Sequence, residues 1–436
     1  MGWGIFEEKL YKRMEKEHIP GAAIAVSRNG KIIYEKGFGV QNMDSKEAVN
    51  TDTIFGIASV TKSFTALTVL KLAEEGYLNL EDPVVQHIPA FQISGIEPIE
   101  AVKVHHLLTH TTGLAPMERK EEIQKLAEHV AYIANGDHPL LGDPGDYFSY
   151  CNDTFLLLGA IIEKYTGKLY RRAITEKLLN PLHMNRSTFS LEELEKMDNV
   201  STPYIYDEQD RVYVKQEWPT LGNYEVGGGI RSNVRDLLRY ATIYTDQGKL
   251  EGNQYISHHQ LEKMWQQHVP ISDDSYYGYA FKVTPNYHGV TLVEHGGGQP
   301  GVSSNFGFIP EEGLAVAVLT NVSSASADEI WLEAVHVAMG LPTDDVKASK
   351  TVIELSSESL QDFVGVYASR EGTSVEIEIR GQELVARLEN KFYALRAISK
   401  DTLYISELNR PIRFYFAEDQ DAWAIFFGMR MLPRVK

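Results

Sequence analysis

Ser59-Val60-Thr61-Lys62 is the only S-x-x-K in the chain, and it opens a strongly apolar run carrying Phe64, Leu67, Val69, Leu70 and Leu72. On a helix, residues three apart share one face and sit one turn apart. This spacing therefore sets the Ser59 hydroxyl beside the Lys62 amine. A serine hydroxyl is a weak nucleophile until a neighbouring base takes its proton. The helix N-terminus adds unpaired N–H groups and a positive dipole end, which favour negative charge developing nearby. Taken alone, four residues with two fixed fit a helix start with a serine cap and a solvated lysine better than they fit a catalytic pair. The rest of the chain has to decide.

Three further segments bear on the decision. They are Tyr150-Cys151-Asn152, His295-Gly296-Gly297-Gly298 at the end of a predicted strand, and Leu107-Leu108-Thr109-His110-Thr111-Thr112-Gly113-Leu114. A phenol titrates near ~10 and a lysine near ~10.4, so neither is a good base at neutral pH without help. Side by side they can help each other, because an ammonium favours the phenolate and desolvation favours the neutral amine. Which of Lys62 and Tyr150 takes the serine proton stays open, since a coupled pair need not have a single answer. A second Y-x-N, Tyr77-Leu78-Asn79, follows the helix begun at Ser59. At 1.5 Å rise per residue it lies some ~25 Å from the serine and is set aside. His106 and His110 stand four apart, but no H-E-x-x-H and no third ligand accompany them, so no metal or other cofactor is expected. His110 reads as a structural residue of its loop and Cys151 as a small spacer. The G-x-S-x-G elbow is absent.

The ordered set S-x-x-K, L-L-x-H-T-x-G, Y-x-N and H-G-G resembles the serine β-lactamase and penicillin-binding-protein superfamily, closest to its class C β-lactamase-related esterases and peptidases. Asn180-Pro181-Leu182-His183-Met184 and Gly228-Gly229-Ile230, with Ser232 and Asp236, also resemble recurrent family segments. The resemblance covers about the first three quarters of the chain. It implies Ser59 as the acylated nucleophile, Tyr150 as base or proton shuttle, and Lys62 bonded to both hydroxyls. It implies Asn152 as the residue orienting Lys62 and the substrate amide, with His295 and Gly297 lining the substrate strand. The N–H groups of Ser59 and Gly298 form the implied oxyanion pair. His295 stands where many relatives carry lysine. A histidine's charge is conditional, so the site should grip free carboxylates weakly. That favours small peptides, amides or esters, D-amino-acid derivatives included. A β-lactamase or penicillin-binding DD-peptidase is the alternative, and a catalytically silent binding or assembly protein on the same fold is the alternative of another class.

The elements that must position these residues read as α/β (α+β). Ala22–Val26 and Lys31–Phe38 flank Asn29-Gly30, a strong two-residue hairpin signal. Helical text with long irregular connections follows to about residue 270, including Glu121–Ile133, Thr154–Tyr165, Leu191–Met197 and Val234–Tyr244. Strands Tyr277–Val283, Val290–Glu294, Asn305–Ile309 and Leu314–Leu319 then precede a helix, Ala327–Met339. Strands at both ends of a helical middle imply one antiparallel sheet flanked by helices, with a helical subdomain inserted. The expected division is a hydrolase domain at 1–342, a linker at 343–352 and a small all-β barrel at 353–436, lipocalin-like by resemblance. Seven short strands between Val364 and Phe427 make up that barrel. Its aromatics, among them Phe392, Tyr393, Phe414, Tyr415, Phe416, Trp423, Phe426 and Phe427, read as core. The barrel carries no visible catalytic constellation, and resemblance suggests a role at the site entrance or in a homo-oligomer.

Composition narrows the partners. With 436 residues, 43% hydrophobic and 23% charged, the chain is ordinary globular material with room for more than one domain. A net charge of −18 argues against nucleic acid and anionic membrane surfaces, both of which call for basic patches. The partner expected is a small molecule or short peptide. The start of the chain carries no apolar leader and no run of ~20 apolar residues occurs, so a cytoplasmic location is expected. The single cysteine fits a reducing compartment.

Overall fold

The computed structural model describes residues 2–342, 351–356, 359–381, 383–389, 391–417 and 421–435. Most of the expected linker, 343–350, lies outside the described residues. The chain forms two compact units: residues 1–82, 121–126 and 156–345, and residues 83–120, 127–155 and 346–436.

The first unit is built on an antiparallel sheet of eight strands. These are β1 (Gly21–Arg28), β2 (Lys31–Gly39), β3 (Val269–Pro270), β4 (Tyr276–Tyr277), β5 (Lys282–Tyr287), β6 (Val290–Gln299), β7 (Val302–Ile309) and β8 (Leu314–Thr320). Their order across the sheet is β2-β1-β8-β7-β6-β5-β4-β3. Strands from the two ends of the unit therefore meet at the β1–β8 seam, where Ile24 faces Val318 and Val26 faces Val316. Asn29 and Gly30 both take positive φ, 49° and 73°, the conformation a two-residue type I′ turn requires. Helices α1 (Gly2–Lys16), α2 (Thr61–Glu74), α3 (Val234–Thr245) and α4 (Ala327–Met339) belong to the same unit. One face of the sheet buries Ile24, Val26, Val316 and Val318 with Phe6, Leu10 and Trp331. The Trp331 indole N–H donates to the Val316 carbonyl at 3.1 Å. Tyr240 and Tyr244 of α3 pack on Phe306 and Phe308. Helix α2 is buried on nearly every side, as an all-round apolar helix must be.

Several expected elements shift. The serine does not open the α-helix: Ala58–Val60 form a single 3₁₀ turn, and α2 starts at Thr61. The strand expected over Tyr277–Val283 is cut in two because Gly278 closes a turn on Phe281 and Ala280 takes φ 59°. The helices expected over Glu121–Ile133 and Leu191–Met197 shorten to Leu126–Asn135 and Leu191–Leu194. In the latter, the Ser190 cap organises little more than one turn.

The second unit contains eight C-terminal strands paired in chain order, Gly365–Ala368 through Arg430–Pro433. The first and last also meet: the Val435 N–H donates to the Val366 carbonyl at 2.8 Å and Tyr367 bridges Arg434. The result is a nearly closed barrel whose eighth strand, Arg430–Pro433, adds to the seven expected. Phe414 and Phe427 lie inside it with Val375, Ile377, Leu403 and Ile425. Phe392 and Phe416 are not core, at 45% and 37% exposed, because they fall on the outward side of the strand alternation. Tyr415, Trp423 and Phe426 also leave the interior. They pack with Ala115, Leu141 and Tyr147 of the same unit. Among the described residues no helix is long and apolar enough to cross a membrane.

Candidate active site

Ser59 sits in the 3₁₀ turn just before α2, after Ala58 at φ 45°. That left-handed conformation is unfavourable for a residue with a Cβ and is held only where the surroundings enforce it. Lys62, one turn on, is 1% exposed. Its Nζ donates to Ser59 Oγ at 3.4 Å and to the Gly227 carbonyl at 3.1 Å. A Cβ on Gly227 would stand 2.7 Å from that nitrogen, so a side chain here would push the amine aside. The 226–230 segment is fastened along α2 by two threonines. Thr65 Oγ1 donates to the Val226 carbonyl at 2.7 Å, and the Ile230 N–H donates to Thr61 Oγ1 at 3.2 Å.

Strand β6 runs against the same turn. A Cβ on Gly297 would meet Ser304 Oγ at 2.3 Å and the Ile57 carbonyl oxygen at 2.4 Å. At Gly298, among the described residues, no atom lies within 4 Å of the corresponding position. His295 is buried, and its Nδ1 lies 2.6 Å from the Gly296 carbonyl oxygen. A carbonyl only accepts, so Nδ1 carries the proton, and Nε2 accepts from the Tyr277 hydroxyl at 3.1 Å. Burial, reinforced by the nearby Lys62 charge, lowers the imidazole pKa to about 3. The conditional charge expected for His295 is corrected accordingly: the side chain is a neutral imidazole throughout the physiological range.

The Y-x-N segment belongs to the second unit. Tyr150 is 6% exposed and its N–H donates to the Met429 carbonyl at 2.9 Å. Its ring lies 4.2 Å from that of His110, and the Arg430 guanidinium stands 5.2 Å from its centroid. His110 pins the segment twice, accepting the Ser149 N–H on its carbonyl at 2.9 Å and the Cys151 N–H on Nδ1 at 3.3 Å. Asn152 opens the helix Asn152–Thr166 and donates from Nδ2 to Glu371 Oε1 at 2.8 Å. Glu371 in turn pairs with Arg430 at 2.5 Å. Burial pushes the Glu371 carboxyl up, but Arg430's charge and hydrogen bond, with Asn152, outweigh it and hold the carboxyl below its usual value. Cys151 is buried, and burial followed by the Asp153 charge pushes its thiol up to about 12. That is the profile of an inert spacer rather than a thiolate nucleophile.

The Beta-lactamase family profile matches residues 6–338. The chain belongs to that family. It is 25% identical to penicillin-binding protein 4* of Bacillus subtilis over 435 residues, 94% of each chain. It is 38% identical to protein flp of Staphylococcus aureus over 181 residues, which is 40% of this chain and 36% of that one. The match thus spans about a third of that relative's length. Among solved structures, the octameric penicillin-binding protein homologue from Pyrococcus abyssi superposes with a TM-score of 0.73 at 29% identity, covering 99% of this chain and 100% of that one. SurE shares the fold, with a TM-score of 0.76 at 21% identity over 99% of this chain and 98% of its own.

Within this family member, the first unit brings together Ser59, Lys62, His295 and Gly297, while Tyr150 and Asn152 stand in the second. Four residues around them escaped the sequence reading. Gly227 had a signal, the triple glycine Gly227-Gly228-Gly229, whose first member went unused. Tyr277 had none beyond lying in a predicted strand. Glu371 and Arg430 had none at all; they are the barrel residues that meet Asn152 and the Tyr150 ring.

Proposed function

We propose that the protein is a serine hydrolase that forms an acyl-enzyme on Ser59 and cleaves small peptides, amides or esters, D-amino-acid derivatives included. The observation that carries this reading is the Lys62 amine, buried, 3.4 Å from Ser59 Oγ and anchored by the Gly227 carbonyl. A structural lysine has no reason to be buried against a serine hydroxyl, since burial of an ammonium is costly. In this reading Lys62 and Tyr150 share the proton leaving Ser59, and Asn152 orients Lys62. The N–H groups of Ser59 and Gly298 receive the oxyanion, each worth about 10²–10³ in turnover. Neutral His295 supplies no cation for a substrate carboxylate, which supports esters and amides over carboxylate-anchored β-lactams.

A fluorophosphonate and a fluorescent penicillin, applied separately and located by mass spectrometry, test the reading. Fluorophosphonate on Ser59 without penicillin labelling is expected. No adduct at Ser59 from either reagent sinks it in favour of a silent binding protein. A stable penicillin adduct moves the assignment to a penicillin-binding peptidase, and fast penicillin turnover moves it to a β-lactamase. The single buried cysteine supports a cytoplasmic location. The octameric state of the Pyrococcus abyssi homologue supports a homo-oligomer, checked by whether light scattering gives a multiple of 49.1 kDa.

A further inference from the structure

Two hairpin tips at one end of the barrel meet the Y-x-N segment inside the second unit. The turn between Phe427 and Arg430 is a two-residue reversal in which Gly428 and Met429 take φ 58° and 66°. It presents the Met429 carbonyl to the Tyr150 N–H and Arg430 to the Tyr150 ring. The Met431 N–H, just beyond, donates to Ser149 Oγ at 3.1 Å. The other tip joins Ala368 to Ser374 and carries Glu371. Barrel closure brings the two tips side by side, so Glu371 and Arg430 pair although 59 residues apart.

The chemistry of this pair is directional. An ionised carboxylate only accepts hydrogen bonds, whereas an amide side chain has one accepting and one donating end. Glu371, kept ionised by Arg430, therefore forces Asn152 to turn its NH₂ toward the barrel and its carbonyl oxygen the opposite way. A neutral partner such as glutamine would tolerate either flip. Arg430 meanwhile holds a guanidinium near the face of the Tyr150 ring, limiting where that ring can swing.

We propose that Glu371 and Arg430 are positioning residues for the reaction: Glu371 fixes the Asn152 amide with its carbonyl oxygen presented as an acceptor, and Arg430 holds both Glu371 and the Tyr150 ring in place. This rests on the roles given above to Tyr150 and Asn152. It gives the C-terminal barrel a catalytic purpose separate from oligomerisation or gating. The barrel supplies no group to the reacting atoms. It supplies the orientation of two that the Y-x-N segment does.

The test uses the full-length protein with p-nitrophenyl acetate turnover and fluorophosphonate labelling of Ser59. Glu371→Ala and Arg430→Met should lower kcat about 10- to 100-fold with KM within about threefold, since misorientation of a positioned group costs on this order. Glu371→Asp and Arg430→Lys, which keep the accepting charge and the cation, should recover most of that loss. A double-mutant cycle separates positioning from bulk structure. In an Asn152→Ala background, Glu371→Ala should cost less than threefold more, measured by the labelling rate. An unchanged kcat in Glu371→Ala and Arg430→Met overturns the proposal. So does a loss that is fully additive with Asn152→Ala, or one confined to KM. If Glu371→Ala fails to fold, Glu371→Gln and Arg430→Met decide by the same criteria. Ser59→Ala run alongside keeps the two readings apart. If it labels and turns over like the parent, the hydrolase reading fails; if it is silent while Glu371→Ala is unaffected, only the positioning role fails.

Discussion

A lysine in water holds its proton to about pH 10.4, whereas Lys62 is 1% exposed and donates to Ser59 Oγ and to the Gly227 carbonyl. Lys62→Met keeps the length of the side chain and removes the amine. It should lower the rate of Ser59 labelling by about 10²–10⁴, the usual worth of a proton carrier. The melting temperature should hold or rise, because a buried charge gives way to an apolar group of similar volume. A labelling rate within threefold of the parent would remove Lys62 from the chemistry. His295 makes a second prediction, this one about pH. Its folded pKa, about 3, lies below the unfolded value near 6.5. Between those values the unfolded chain binds a proton that the folded chain refuses, so stability falls as pH drops below about 6.5, by up to about 1.4 kcal/mol per pH unit. His295→Gln removes that contribution. The difference in unfolding free energy between pH 7 and pH 5 should shrink by about 2 kcal/mol in urea titrations. An equal pH response in both proteins would show that His295 is not held neutral.

At the scale of the element, the site depends on how closely β6 lies along the turn that carries Ser59. Gly297 and Gly298 are neighbours with opposite surroundings. A methyl on Gly297 runs into the Ile57 carbonyl oxygen at 2.4 Å, which cannot rotate away as Ser304 Oγ can, while a methyl on Gly298 meets nothing within 4 Å among the described residues. Gly297→Ala should therefore destabilise by about 1–3 kcal/mol. It should also slow acylation about 100-fold by moving Ser59, as an ångström of misplacement does. Gly298→Ala should melt within about 2 °C of the parent, because its methyl meets no atom within 4 Å among the described residues. Melting curves on the two variants and the labelling rate of Gly297→Ala check both. The glycines were legible as a cluster in the sequence, but which one touches protein depends on strand pairing over long distances. The same limit explains the rest. Hairpin β1–β2, helix α4 and most barrel strands could be read because turn residues and hydrophobic period are local. Lys62's place beside Ser59 could be read because it is one helical turn. The split of β4 from β5 turns on the left-handed Ala280. The Glu371–Arg430 pair turns on barrel closure, and neither leaves a local trace.

At the scale of the whole molecule, the first unit is assembled from segments far apart in the chain. Strand β1 pairs with β8, and α1 docks on α4 through Arg13. That guanidinium meets Glu17 at 2.9 Å, Glu329 at 2.7 Å and Glu333 at 2.7 Å. Two of these partners lie 316 and 320 residues away in sequence. Glu17 is committed further: its other oxygen accepts the Ser326 N–H at 2.8 Å, at the start of α4. One cation thus bridges three carboxylates at the point where the beginning of the unit closes on its end. A surface ion pair is worth less than about 1 kcal/mol, but Arg13 and Glu333 are only 16% and 12% exposed. Removing one member of a buried cluster costs more than the cluster contributes, because the remaining charges are left facing one another. Arg13→Ala should destabilise the first unit by about 2–4 kcal/mol at pH 7, below the 3–5 kcal/mol of fully buried pairs because water reaches part of this one. The cost should depend on salt in a way that a loss of packing alone could not produce. Salt screens partly exposed charges, so about 1 M NaCl relieves the repulsion in the variant while weakening the ion pairs of the parent. The difference in urea midpoint between the two should therefore be smaller in about 1 M NaCl than at low salt. A gap that stays constant or widens would mean that Arg13 joins the two ends through its aliphatic stem, and that the charges at this seam are incidental to closing the sheet under the serine.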